Sequence, residues 1–119
     1  MNPKILVVDD SAFMRNIISS SLKKENILDI DEATNGLEAV EKYQKKKYDF
    51  VTMDITMDKM NGLEALKVIK ILDPDAKVIM VSALSSKDLV LEAAKNGAID
   101  FVVKPYNIQN IYNIIKRKM

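Results

Sequence analysis

Short unbroken apolar runs alternate along this chain with longer stretches of helical spacing. Ile5-Leu6-Val7-Val8 is the first run, and Asp9-Asp10 follows it directly. A strand with no polar interruption is one covered on both faces, as in parallel sheets. Ser11 is placed to cap a helix in which Phe13, Met14, Ile17, Ile18 and Leu22 recur near helical spacing. Leu28-Asp29-Ile30-Asp31 alternates instead, which predicts an edge strand with one wet face. Asn35-Gly36 opens a second helix with Leu37, Val40 and Tyr43 inward. Glu38, Glu41, Lys42 and the run Lys45 to Lys47 face outward, the lysines reading as a solvated helix end that suits the negative pole of the helix dipole.

The second half repeats the pattern. Phe50 to Met53 is a buried strand that stops at Asp54, and Asn61-Gly62 then begins a helix carrying Leu63, Leu66 and Ile69. Asp73-Pro74 stops that helix. Val78 to Val81 is a fourth strand, ending in Ser82-Ala83; Ser85 or Ser86 caps a helix with Leu89, Val90, Ala93 and Ala94, and Asn96-Gly97 closes it. Phe101 to Val103 is the fifth strand, ending in Lys104-Pro105. The last helix places Ile108, Ile111, Tyr112 and Ile115 on one stripe, and Lys116, Arg117 and Lys118 complement its C-terminus. Each of the three glycines follows an asparagine at a helix boundary, so none forms a phosphate-cradling loop.

Five strands alternating with five helices predict one doubly wound α/β domain over residues 1–119, a flavodoxin-like (βα)5 fold with no output domain attached. With the alternating second strand at an edge, the parallel sheet takes the order 2-1-3-4-5. Ligands of such sheets lie beyond the carboxyl ends of the strands, at the point where the direction of winding reverses. Asp9 and Asp10 from strand one, Asp54 from strand three, Ser82 from strand four and Lys104 from strand five all come to that edge. Alone, each has a plain explanation: a loop aspartate, a turn serine, a lysine reaching out of the sheet. Their convergence does not.

Composition narrows the chemistry. The chain has 119 residues, 48% of them hydrophobic and 29% charged, with a net charge of +1 that points to neither nucleic acid nor membrane. It has no cysteine and no histidine, which excludes disulfides, thiolate metal sites and imidazole bases. A strand-like run follows Met1-Asn2-Pro3-Lys4 and is too short for a signal peptide or membrane span, so a cytoplasmic protein is expected. Three carboxylates against one ammonium leave roughly two net negative charges in a small crevice, which calls for a divalent cation. Oxygen donors alone suit magnesium, manganese or calcium, and magnesium is favoured because it uses few carboxylates and pairs with phosphate. A carboxylate beside such an ion is a nucleophile toward phosphorus, and Asp54, already ionised, needs no base.

The motifs Val-Val-Asp-Asp at 7–10, Phe-Met-Arg at 13–15, Ala-Thr-Asn-Gly at 33–36, Asp54 with Gly62 behind it, Val-Ser-Ala at 81–83 and Val-Val-Lys-Pro at 102–105 cover nearly the whole chain. Together they resemble the response-regulator receiver domains, and specifically the single-domain response regulators of chemotaxis. Ser-Ala-Phe-Met-Arg at 11–15 and Thr-Met-Asp-Ile-Thr-Met at 52–57 carry the chemotaxis likeness. The resemblance implies that Asp54 is the phosphoacceptor, and that Asp10, Asp54 and the backbone carbonyl of Thr56 hold Mg2+ (or Mn2+), with Asp9 acting through water. It makes Lys104 the phosphate-binding lysine and Ser82 and Phe101 a switch pair. It also implies a cis peptide at Lys104-Pro105. The partner face would be the fourth helix, fifth strand and fifth helix, with Lys87, Leu91, Lys95, Tyr106 and Tyr112 as members; half-buried packing is the plainer reading of the two tyrosines. The partners implied are a chemotaxis-type histidine kinase as phosphodonor, a motor switch protein or motor adaptor as target, and a phosphatase. A monomer that acts as a signalling switch rather than an enzyme is expected.

Two departures from the family stand out. Asp58 occupies the place where proline is usual, after Met57, which loosens the loop carrying Thr56 and adds a carboxylate that reads best as solvated. Phe101 stands where tyrosine is frequent, and so lacks a hydroxyl. Three rivals share parts of the pattern. An FMN carrier needs a hydroxyl- and glycine-rich phosphate loop that Asp9-Asp10 would repel. A magnesium phosphohydrolase needs a second acid two positions after the first, and a cap. A phosphorelay intermediate would pass its phosphate to a second histidine protein.

Overall fold

The computed structural model describes residues 2–105 and 107–119, so Tyr106, a predicted member of the partner face, lies outside the described residues. Five strands alternate with five helices: β1 (Lys4–Val8), α1 (Ala12–Lys23), β2 (Asp29–Ala33), α2 (Gly36–Lys45), β3 (Phe50–Met53), α3 (Gly62–Leu72), β4 (Val78–Ser82), α4 (Lys87–Lys95), β5 (Asp100–Val103) and α5 (Asn110–Lys118). The strands form one parallel sheet in the order β2-β1-β3-β4-β5, as predicted.

Alternate residues of the central strands feed two separate cores, which is why their sequences are almost unbroken apolar runs, Thr52 of β3 being a buried polar exception. Leu6, Val8, Val51, Met53, Val78 and Met80 pack with Val40, Leu66, Ile69 and Ala93 from α2, α3 and α4. Ile5, Val7, Phe50, Ile79, Val81 and Val102 pack on the other face with Ile18 and Leu22 of α1 and Ile111, Ile114 and Ile115 of α5. β2 pairs only with β1 and is partly exposed along most of its length, so its alternating pattern does mark an edge.

Four helices start on side-chain caps, the two serines among them as expected and two asparagines besides. Ser11, Asn35, Asn61 and Ser86 accept from the backbone amides of Met14, Glu38, Glu64 and Leu89. At Asn61 the box is closed by Glu64, whose carboxylate accepts from the Asn61 amide. Gly97, just past α4, takes φ +95°, where a side chain would be strained.

Some predicted positions differ. Phe13 and Leu37, assigned to inward stripes, are 72% and 45% exposed. Both lie in the first turn of their helix, at the strand-end rim of the sheet, and neither joins a core. Leu28 precedes β2 and is exposed, leaving Ile30 on one face and Ala33 on the other as the strand's contribution to packing. Ile108 is buried but precedes α5: the turn before the helix is wound by bonds from the Asn110 amide to the Asn107 carbonyl and from the Ile111 amide to the Ile108 carbonyl. The lysine run is not simply solvated, because Lys46 lies 3.2 Å from Asp31 and Lys47 lies 3.7 Å from Asp73.

Candidate functional site

Strand register builds the site. Val8 is level with Met53 on β3, and Ser82 is level with Val103 on β5, so the residue after each strand emerges at one edge. The Asp9 amide donates to the Ala33 carbonyl, the Asp54 amide to the Val8 carbonyl and the Lys104 amide to the Ser82 carbonyl. These bonds carry the ladder one residue past the strands and fix the direction of each side chain.

Asp9, Asp10 and Asp54 offer carboxylate oxygens that lie within 4.8 Å of one another. Asp9 and Asp54 are buried, at 1% and 5% exposure, while Asp10 is open to solvent. The Lys104 ammonium donates to Asp9 at 2.7 Å and lies 3.2 Å from Asp54. Asp9 also accepts from the Ser11 amide at 2.9 Å, and Asp54 from the Ile55 amide at 2.9 Å. Burial, with the nearby Asp9 charge, raises the Asp54 pKa above the usual carboxylate value, and Lys104 offsets this only in part. Burial alone would lower the Lys104 pKa, but its hydrogen bond to Asp9 and the charges of Asp54 and Asp9 hold it above the ordinary lysine value. The crevice is thus short of positive charge, and its exposed carboxylate is the one with no lysine on it. An all-oxygen set of this kind fits a hard divalent cation.

Ser82 is 2% exposed, and its hydroxyl oxygen accepts from the Leu84 amide at 3.0 Å, which leaves the hydroxyl proton free to donate. Phe101 pairs with Met80, two residues before Ser82, so Phe101 and Ser82 occupy the same face of the sheet diagonally across the β4–β5 pair. Phe101 is half-buried against the core on that face. Thr56 is exposed in the loop after β3, and Asp58, in the same loop, is exposed and outside the carboxylate group. Lys87, Leu91 and Lys95 are exposed along one side of α4, whereas Tyr112 is half-buried against the α1–α5 core. Lys104-Pro105 is cis.

One residue had no role assigned from the sequence. Arg15 donates from Nη1 to the Asp9 carbonyl at 2.8 Å and from Nε to Glu32 at 2.9 Å, tying the acid turn to the edge strand. Its place in Phe-Met-Arg, one turn into the helix after Asp9-Asp10, was the available signal.

The pattern of the response regulator receiver domain matches residues 5–116. The chain belongs to that family. This receiver is 46% identical over 117 residues to the chemotaxis protein CheY of Thermotoga maritima, a match covering 98% of each chain. It is 44% identical over 119 residues to CheY of Bacillus subtilis, covering 100% of this chain and 99% of that one. Its fold superimposes with a TM-score of 0.91 on the Borrelia burgdorferi chain solved as a CheX–CheY–BeF3–Mg2+ complex, at 37% identity, covering 98% of the receiver and 89% of the other chain. The receiver is therefore CheY-like over its length, a domain of the two-component signalling kind.

Proposed function

We propose that the receiver accepts a phosphoryl group on Asp54 and reports it, as a stand-alone chemotaxis switch, through a protein-binding face. The observation that carries this reading is the position of Asp54: a buried carboxylate in reach of Lys104, beside two further carboxylates, with Lys104 the one cation among the described residues that pairs with any of the three side chains. One Asp54 carboxylate oxygen attacks phosphorus, the bond from phosphorus to the imidazole nitrogen of a kinase phosphohistidine breaks, and that nitrogen keeps the electron pair. Lys104 neutralises charge on the transferred group, and Ser82 turns its free hydroxyl proton toward a phosphoryl oxygen. Asp9, Asp10, Asp54 and the Thr56 carbonyl would hold Mg2+, which supplies further charge neutralisation at the same oxygens. The Mg2+ and beryllofluoride of the Borrelia CheY complex support that assignment.

Ser82 moving toward the phosphoryl group vacates space that Phe101 fills by changing rotamer, which biases a two-state surface. The surface is the α4–β5–α5 face, with Lys87, Leu91 and Lys95 as its exposed members on α4. Its partners are a motor switch protein or adaptor and, by analogy with the Borrelia complex, a CheX-like protein. Among the described residues no helix is long and apolar enough to cross a membrane, and the assigned place of work is the cytoplasm. We assign the protein as a monomer and as a switch rather than an enzyme.

The test is intact mass after incubation with magnesium and a small acyl-phosphate donor, beside Asp54→Ala. One added phosphate on the parent alone, lost when EDTA is present, is the expected result. No adduct on either protein, with magnesium binding shown separately, would mean a receiver that signals without phosphate.

A further inference from the structure

The loop between β3 and α3 contains two consecutive non-glycine residues with left-handed backbones, Lys59 at φ 49° and Met60 at φ 75°. Neither side chain favours that conformation, so surrounding contacts have to impose it. They come from α2. The Leu37 amide donates to the Lys59 carbonyl at 3.1 Å, and the Gly36 amide donates to the Met60 carbonyl at 3.0 Å. These are the first two amides of the helix, which have no partner inside it and lie at its positive pole. The far end of the loop is held separately, by the Gly62 amide on the Ile55 carbonyl at 2.8 Å.

Gly36 makes the contact possible. A Cβ built there would overlap the Met60 carbonyl oxygen, and its other near neighbours are the backbone atoms of Met60 and Asn61, which cannot turn aside as a side chain can. Among the described residues the only glycine with a left-handed φ is Gly97, so the requirement at residue 36 is for space rather than for backbone freedom.

We propose that Gly36 and the amide pair at the start of α2 position the loop that carries the Thr56 carbonyl toward Mg2+, giving the rigidity that proline would otherwise give at residue 58. Gly36 is a positioning residue: it touches neither phosphate nor metal. The inference rests on the reading of Thr56 as a metal ligand. It also reverses the expectation that Asp58 leaves this loop loose, because α2 holds both carbonyls that follow Asp58.

Magnesium affinity, measured by calorimetry on the full chain without phosphodonor, tests the proposal. Gly36→Ala should weaken magnesium by about tenfold, the loss that goes with one misplaced hydrogen-bonded contact. Glu41→Gly, on the exposed side of the same helix, should lower stability without moving the affinity. If Gly36→Ala folds poorly, Leu37→Pro deletes the amide that holds Lys59 at a first-turn position where proline is tolerated, and the same weakening is expected. Asp58→Pro should restore affinity in the Gly36→Ala background and change the parent little, a coupling that a merely structural glycine would not show. Magnesium should also slow hydrogen exchange at the Gly36 and Leu37 amides, since coupling between ion and contact is reciprocal. Affinity in Gly36→Ala equal to that in Glu41→Gly, or strictly additive effects of Asp58→Pro, would overturn the proposal. A parent that binds no magnesium would instead overturn the reading of the site, and this inference with it.

Discussion

Aspartates, lysines and hydroxyls meet at two places in this receiver, and the outcome is opposite. Toward the edge of the sheet away from the site, the Tyr43 hydroxyl donates to Asp73 at 2.6 Å and the Tyr48 hydroxyl donates to Asp31 at 2.6 Å. Lys47 and Lys46 stand beside those carboxylates. The tyrosine hydroxyl is the leading cause in each case, with lysine adding to it, and both carboxyls are held below their usual range. At the strand ends, Asp9 and Asp54 share Lys104, Asp10 has no lysine, and the Asp54 pKa is raised. One cluster is complete and serves stability. The other is left short of positive charge, and that shortage is what a cation and a phosphoryl group can use.

The largest expected effect breaks the complete cluster. Tyr43→Phe removes a buried hydroxyl that serves an ionised carboxylate, and denaturant titration should show a loss of about 2 kcal/mol. Phosphate incorporation at Asp54 should not change, because the two clusters share no residue. A variant as stable as the parent would mean that the far edge carries no more of the fold than the site does.

Asp54→Asn should act the other way, raising stability at neutral pH by about 1 kcal/mol while abolishing the adduct, since it relieves crowding that function requires. A loss of stability would show that the Lys104 contact outweighs that crowding.

The smallest effect is on pH dependence. Asp31 and Asp73, lowered in the folded state, stabilise it above their ordinary carboxylate range, and that contribution is lost as pH falls through their folded values. Asp54, raised in the folded state, favours folding on the acid side and opposes it as pH rises through its folded value. The Tm of the parent should therefore fall on acidification below about pH 4, where Asp54→Asn should follow it, while above about pH 4 acidification should favour the parent, as Asp54 takes up its proton, and not Asp54→Asn. Parallel curves would contradict the assignment of Asp54 to the crowded cluster.

Much of this contrast was legible in the residues themselves. A strand buried on both faces has to be nearly all apolar or β-branched, so Ile5 to Val8, Phe50 to Met53 and Val78 to Val81 declared both their strands and the charged or hydroxyl residues at their ends. Alternation placed β2 at the edge for the converse reason. Contacts to backbone carbonyls were barely legible, since a pattern of side chains gives at most the spacing of one partner and never the carbonyl it reaches. The Arg15 bond to Asp9 and the α2 amides on the β3–α3 loop are both of this kind. Helical spacing also says which side of a helix is apolar and not where the sheet beneath it ends, which is why Phe13 and Leu37 were assigned to cores they do not reach.

Gly62 has a consequence for where the moving parts are. A side chain at residue 62 would collide with the main-chain carbonyl of Asp54, so α3 begins flush against the backbone of the proposed phosphoacceptor. The two are packed like a single casting. The carboxylate to which we assign the phosphoryl group is thus mounted on an anvil, a strand end with the backbone of a helix set directly against it.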